Sequence, residues 1–316
     1  MTLQTWVTGA LGVTYPVIQG AMQWLAKAEL VSAVANAGGL GIIAANSFAS
    51  AEELRQEIRK TRKLTDKPFA VNFTLMPTRR PIAWEEYIVT ALEEGVGIIE
   101  TSGRSPEPYL EIIRSARVKL LHKAARLRDA LTAQRLGADA VTIIGNEAGG
   151  HPGPEDVSTL VLIPKAVASL KIPVIAGGGF ADGRGLAAAL ALGAQGIVMG
   201  TRFMASRECP LHPKIKELLI KTKEMDTMII ERSIKNAARV IRTDFAEKIL
   251  TMEESGATLD GLFPLLDGQR VRKAYETGAT NDAIIYCGQS VGLIDEILSV
   301  KEIMEMVVMG AEEVKR

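Results

Sequence analysis

The chain has 316 residues, 47 % of them apolar, enough to enclose one barrel of about 250 residues with an appendage, or two ordinary domains. Thirty-seven basic side chains balance 37 acidic ones, so no overall positive field exists to draw in nucleic acid or anionic lipid, and a small molecule is the expected partner. No apolar run approaches the roughly 18 residues of a membrane span, the amino terminus lacks the basic and apolar regions of a secretory leader, and Cys209 and Cys287 are too few and too isolated for a disulfide framework or a zinc site. A soluble, cytoplasmic protein without a metal is expected.

Short runs rich in Val, Ile and Leu alternate along the chain with longer segments at helical spacing, the signature of repeated βα units around a parallel sheet. Strands are expected near residues 17–19, 41–44, 69–75, 97–100, 118–122, 140–144, 174–176 and 196–199. Eight is the barrel number, so residues 1–202 read as a (β/α)8 TIM barrel. Between the strands, Ser50 with Glu53 forms a capping box ahead of Leu54 and Ile58, a helix over 125–136 stops at Gly137, and Asp182 caps a helix through Leu186, Ala189 and Leu192. Over 203–281 the pattern becomes consecutive charged helical segments, including 214–223 and 230–250, with no strand between them. This predicts a helical insertion. Within it Met225, Met228, Ile229 and Ile230 serve either a homodimer contact or a core. Residues 282–316 close the chain with an amphipathic helix over 288–314 that packs back on the barrel.

The chemistry-bearing residues gather at the carboxyl ends of the expected strands, where α/β enzymes place their sites. Strand six runs into Asn146-Glu147-Ala148-Gly149-Gly150-His151-Pro152-Gly153, which mounts one of only three histidines on a loop that cannot be helical. Strand seven runs into Gly177-Gly178-Gly179-Phe180-Ala181-Asp182-Gly183-Arg184, and strand eight into Met199-Gly200-Thr201-Arg202. Glycines on the last two strands let several backbone N–H groups converge on a phosphate, to which Thr201 adds a hydroxyl. Lys123 closes strand five and reads either as a cation that neutralises a cofactor or as a rim salt bridge. His122, beside it, points the opposite way by strand alternation and is structural, and His212 is a surface or capping residue. Strand one ends in Gln19-Gly20-Ala21-Met22-Gln23-Trp24 and strand three in Asn72-Phe73-Thr74-Leu75-Met76-Pro77. Alone these suit turn chemistry; over a site they would let a flat ring lie close to the backbone, with Met22, Trp24, Met76 and Trp84 as an apolar wall.

Together these motifs resemble the nitronate monooxygenase family, formerly 2-nitropropane dioxygenases, across nearly the whole chain. The resemblance rests on Pro16-Val17-Ile18-Gln19-Gly20-Ala21-Met22, Ala35-Asn36-Ala37-Gly38-Gly39-Leu40-Gly41, Val71-Asn72, Glu147-Ala148-Gly149-Gly150-His151, Gly178-Gly179-Phe180-Ala181-Asp182-Gly183-Arg184 and Met199-Gly200-Thr201-Arg202-Phe203. It implies an FMN-bearing TIM barrel with Ala21, Met22 and Asn72 near the isoalloxazine, Lys123 near the flavin's polar edge, Gly178, Gly179, Gly200 and Thr201 around the phosphate, and His151 in the catalytic position. It also implies oxidation of alkyl nitronates with oxygen, or one of two alternatives on the same scaffold: NAD(P)H-dependent quinone reduction, or reduction of enoyl thioesters, with NADH or NADPH as electron donor. Thr65-Asp66-Lys67-Pro68-Phe69 and the stretches after Gly179 and Thr201 are most similar to the quinone reductase branch. Ala148-Gly149-Gly150-His151 departs from the Cys-Ala-Gly-His of that branch. An IMP-dehydrogenase-like barrel would need a nucleophilic cysteine, which neither Cys209 nor Cys287 suits; a phosphate-sugar barrel enzyme and a non-catalytic flavin binder are the other rivals.

Overall fold

Strands buried on both faces are rich in apolar residues, and the barrel strands are, with polar residues gathered mainly in the third, fourth and fifth. In the computed structural model, which describes residues 3–76 and 82–314, they are β1 Val17–Gln19, β2 Leu40–Ala44, β3 Phe69–Thr74, β4 Ile98–Ser102, β5 Lys119–Ala124, β6 Ala140–Ile144, β7 Val174–Gly177 and β8 Ile197–Met199. They form a closed parallel barrel in sequential order, with Ile18 of β1 in register with Val198 of β8. Pro77, part of the expected rim of strand three, lies outside the described residues.

The two-residue period of a strand sorts the side chains into layers. Ile18, Ile42, Ala70, Ile98, Leu121, Ala140, Ile175 and Val198 point inward as an apolar floor, which Val7 and Leu11 of the short helix Trp6–Leu11 seal from below. Two residues further along the same strands, the inward positions become Asn72, Glu100, Lys123, Thr142 and Gly177. The barrel is therefore dry at one end and polar at the other. The opposite face, with Val71, Phe73, Ile99, Val141, Ile143 and Ala176, packs under the outer helices.

The expected caps are present. Ser50 accepts from the Glu53 amide at 3.2 Å to start helix Ala51–Leu64, while the Glu53 carboxylate reaches back to the Ala49 amide at 2.8 Å, one residue further than a capping box requires. Asp182 accepts from the Arg184 and Gly185 amides at the start of helix Gly183–Ala191. The helix expected over 125–136 spans Leu127–Arg135.

Beyond β8 two expectations need correction. The region over 203–281 is not all helical: among helices Pro213–Lys221, Asp244–Glu254, Leu259–Leu266 and Gly268–Thr277 it holds an antiparallel hairpin, β9 Thr227–Ile230 and β10 Ala238–Ile241. Left-handed backbone at Glu231 (φ 65°) and Lys235 (φ 59°) makes its turn, and the charges between the strands, which read as a helix surface, belong to that turn. Met228 and Ile230 are hairpin core, whereas Met225 is exposed. Nor is 288–314 one helix. Ala283, Ile284, Ile285 and Cys287 are buried, and this segment bonds Ile285 to Ile241 and Cys287 to Arg239. A 3-10 turn, Gln289–Leu293, precedes helix Val300–Glu313, which packs on Gly183–Ala191 and Ala28–Asn36 as expected of the closing helix.

Candidate active site

The loop after β6 is held from three sides. Glu147 accepts from the Thr159 amide at 2.9 Å and its hydroxyl at 2.7 Å, tying the loop to helix Thr159–Ser169. Gly149 is where the 287–288 backbone crosses: a Cβ there would lie 2.6 Å from the Cys287 carbonyl carbon. Gly150 (φ 74°) and Arg239 exchange backbone hydrogen bonds of 3.1 and 2.6 Å, and the Arg239 guanidinium donates to the Asn146 carbonyl at 2.9 Å. The insertion thus clamps the loop that carries His151.

His151 is open to solvent, with its ring 5.9 Å from that of Tyr286. Protein packed around it still disfavours the imidazolium and lowers its pKa. Its Nε2 lies 3.2 Å from Asn236 Nδ2, and that amide also donates to the Glu231 carboxylate. Glu231 is 2 % exposed. Burial pushes its pKa up to about 7 against the pull of the Asn236 bond, and the charge of Glu253 adds to the rise. Neither Asn236, Glu231 nor Arg239 stood out in the sequence, because their positions were read as helix.

Inside the barrel, Asn72 donates to Glu100 at 2.6 Å and accepts from the Thr74 hydroxyl at 2.8 Å, while Lys123 Nζ stands 3.4 Å from the same Glu100 oxygen. Glu100 is 1 % exposed, and a carboxylate so placed needs a partner charge. Lys123 therefore makes an ion pair, in the barrel interior rather than on the outer rim. Glu100 was overlooked although it carried a signal: an acid in phase with the inward Ile98 of an apolar strand. His122 faces outward as expected, its Nδ1 2.9 Å from the Thr101 hydroxyl, and burial depresses its pKa to about 4. His212 caps helix Pro213–Lys221.

Gly178 and Gly179 follow β7 with φ of 97° and 82°. A Cβ on Gly200 would meet only Met22 Sδ, at 3.7 Å, so the loops after β1, β7 and β8 leave room beside glycine backbone, a cradle suited to a phosphate. The Thr201 hydroxyl oxygen accepts from the Gly288 amide at 3.0 Å, which joins the C-terminal segment to this wall. Ala21 packs on the barrel floor. The four-residue apolar wall is not a unit. Trp84 packs edge-on against Phe73 in the outer core, and Trp24 lies under the Arg272 guanidinium at 5.2 Å. Both cysteines are buried and free; burial raises the Cys209 thiol to about 12 and Cys287 further, so neither supplies an activated thiolate.

Residues 4–310 match the family model described as nitronate monooxygenase. The chain belongs to the nitronate monooxygenase family. It is an FMN-dependent oxidoreductase. FabK from Thermotoga maritima is 39 % identical to this family member and superposes with a TM-score of 0.91 over 99 % of this chain and 98 % of the other. A probable nitronate monooxygenase of Staphylococcus saprophyticus is 32 % identical over 99 % of each chain. A hydroxy-methyl-oxo-octahydroindene carboxyl-CoA dehydrogenase of Rhodococcus jostii is 32 % identical over 100 % of this chain and 97 % of its own length. Among the described residues no helix of this nitronate monooxygenase family member is long and apolar enough to cross a membrane.

Proposed function

We propose that this enzyme reduces enoyl thioesters with NADH or NADPH. The observation that carries the reading is the 39 % identity to FabK, an enoyl reductase, at nearly full length on both sides; the similarity to a dehydrogenase named for a carboxyl-CoA substrate points to the same thioester class. Oxidation of alkyl nitronates with oxygen is the second reading, favoured by the probable nitronate monooxygenase at 32 % identity.

The residues fit FMN. Gly178, Gly179, Gly200 and Thr201 would hold the phosphate, Ala21, Met22 and Asn72 would border the ring, and Lys123 would offer a cation at its polar edge. FMN supplies the two-electron exchange when bound. The net reaction adds a hydride equivalent from NAD(P)H at the β-carbon and a proton at the α-carbon, giving the saturated thioester and NAD(P)+. His151 donates that proton and takes another from solvent, to which its ring is open. Its lowered pKa leaves the ring neutral at rest and makes the imidazolium, once it is protonated for turnover, a stronger acid than a free one. Glu100 holds Asn72 and Lys123 in one orientation, so the polar layer meets the cofactor already ordered.

Anaerobic stopped-flow mixing of the FMN-loaded protein with NADH and with NADPH tests the reading. Either nucleotide should bleach the flavin absorbance, and crotonyl-CoA should then restore it. Bleaching by an alkyl nitronate and by neither nucleotide would establish the second reading, and recovery with a quinone but not with crotonyl-CoA would move the enzyme to quinone reduction.

A further inference from the structure

We propose that Asn236 is a positioning residue that holds His151 as the neutral Nδ1–H tautomer, and that Glu231 fixes the amide that does so. The role in turnover rests on the proton-handling reading of His151, whereas the tautomer follows from hydrogen-bond valence alone.

One nitrogen, Asn236 Nδ2, faces two groups: the Glu231 carboxylate and, at 3.2 Å, His151 Nε2. An amide NH2 has two protons and accepts nothing. One proton goes to the carboxylate, so the other points at Nε2, which must then present a lone pair. The ring proton is left on Nδ1, as the partner of one ring nitrogen decides the state of the other. Turning the amide over would set its oxygen against a buried carboxylate, acceptor against acceptor.

The turn is built to keep that amide in place. Glu231 sits in left-handed backbone (φ 65°), a conformation that a non-glycine residue holds only when its surroundings insist. Its amide donates to Glu253 at 2.6 Å, and the same carboxylate takes the Ser233 amide and hydroxyl at 3.0 and 2.8 Å. The Asn236 backbone N–H closes the turn on the Glu231 carbonyl at 3.0 Å. Glu231 Oε1 is buried without a hydrogen-bond partner, so the carboxylate spends its one side-chain bond on the amide that touches His151. The charged and titratable groups facing Glu231 are Glu253 on helix Asp244–Glu254 and the Tyr286 hydroxyl, which its charge raises further; Arg232 beside it is taken by Asp156 at 2.6 Å. Because burial moves Glu231 to about 7, the carboxylate that orients the amide prevails in mildly alkaline solution. The consequence for recognition is that His151 offers an N–H donor to its ligand, suited to a thioester, nitronate or quinone oxygen.

With three histidines in the chain, nitrogen-15 labelling of the imidazoles reads this directly in the FMN-loaded enzyme at about pH 8.5, above the ordinary histidine range, with His151→Gln to assign the signals. We expect a pyrrole-type Nδ1 and a pyridine-type Nε2 for His151. In Asn236→Ala and Asn236→Leu the Nδ1–H preference should fall by roughly 2- to 10-fold, the worth of one ordinary hydrogen bond, while Glu231→Gln, which keeps a carbonyl acceptor for the amide, should preserve it. A protonated Nε2 in the unaltered enzyme, or a tautomer ratio unmoved in both Asn236 variants, would overturn the proposal. Neither outcome depends on which substrate is turned over.

Discussion

At the scale of single residues, the site divides into groups that face a ligand and groups that hold those in place. In the proposed function His151 is of the first kind, and its replacement by Ala should lower turnover by roughly 10²-fold or more while FMN stays bound, measured as steady-state rate beside flavin absorbance. Lys123 holds Glu100 and, in the proposed function, faces the cofactor as well. Lys123→Met leaves Glu100 buried without its counter-charge and should destabilise the fold by up to about 3 kcal/mol, discounted because a fifth of the Lys123 side chain is exposed. Adding Glu100→Gln should recover much of that loss, and urea midpoints of the single and double variants check it. His122 gives a pH signature. Its folded pKa of about 4 lies below the unfolded value near 6.5, so the unfolded chain binds the proton first. Its contribution is intact above about pH 6.5 and is lost as pH falls toward 4, by about 3 kcal/mol at ~1.4 kcal/mol per unit. His122→Gln should flatten the fall of the urea midpoint over that window.

At the scale of elements, alternation along β3, β4 and β5 explains why Asn72, Glu100 and Lys123 converge: each follows an inward apolar residue by two positions. That logic was present in the sequence, and applying it to strand four would have found Glu100. The hairpin is a different case. Four-residue strands separated by Glu231, Arg232 and Lys235 have the composition of a charged helix, and only pairing with one another and with 283–287 makes them strands. Their service to the site is to seat the His151 loop, and Gly149 is where that fit is tightest. Gly149→Ala should push the loop off the Cys287 backbone. A displacement of about 1 Å at a reacting group is worth up to about 10²-fold in rate, so activity should fall well before the melting temperature does, and paired kinetics and thermal melts report whether it does.

At the scale of the whole molecule, the loops after β1, β7 and β8, the polar layer and the inserted hairpin all meet at one end of the barrel, so ligand binding there should tighten the chain as a unit. Free FMN at 100 times its dissociation constant should stabilise the folded state by about 2.7 kcal/mol over the apoprotein, read as a rise in melting temperature that FMN concentration titrates. The periodic apolar runs, the glycine loops and the lone loop histidine determined the barrel and its polar end, because a strand's two-residue period and a glycine's missing Cβ are local properties, while the family was implied by the resemblance of its motifs. Sequence alone also left the nitronate, quinone and thioester readings side by side, since the barrel motifs are shared among them. Tertiary structure decided what stands around His151: Asn236, Glu231 and Arg239 lie some 80 or more residues away along the chain, and no local pattern reports which distant turn a loop will rest against. Packing decides that, since a buried carboxylate, a left-handed turn and a crossing backbone at Gly149 acquire meaning only where they touch.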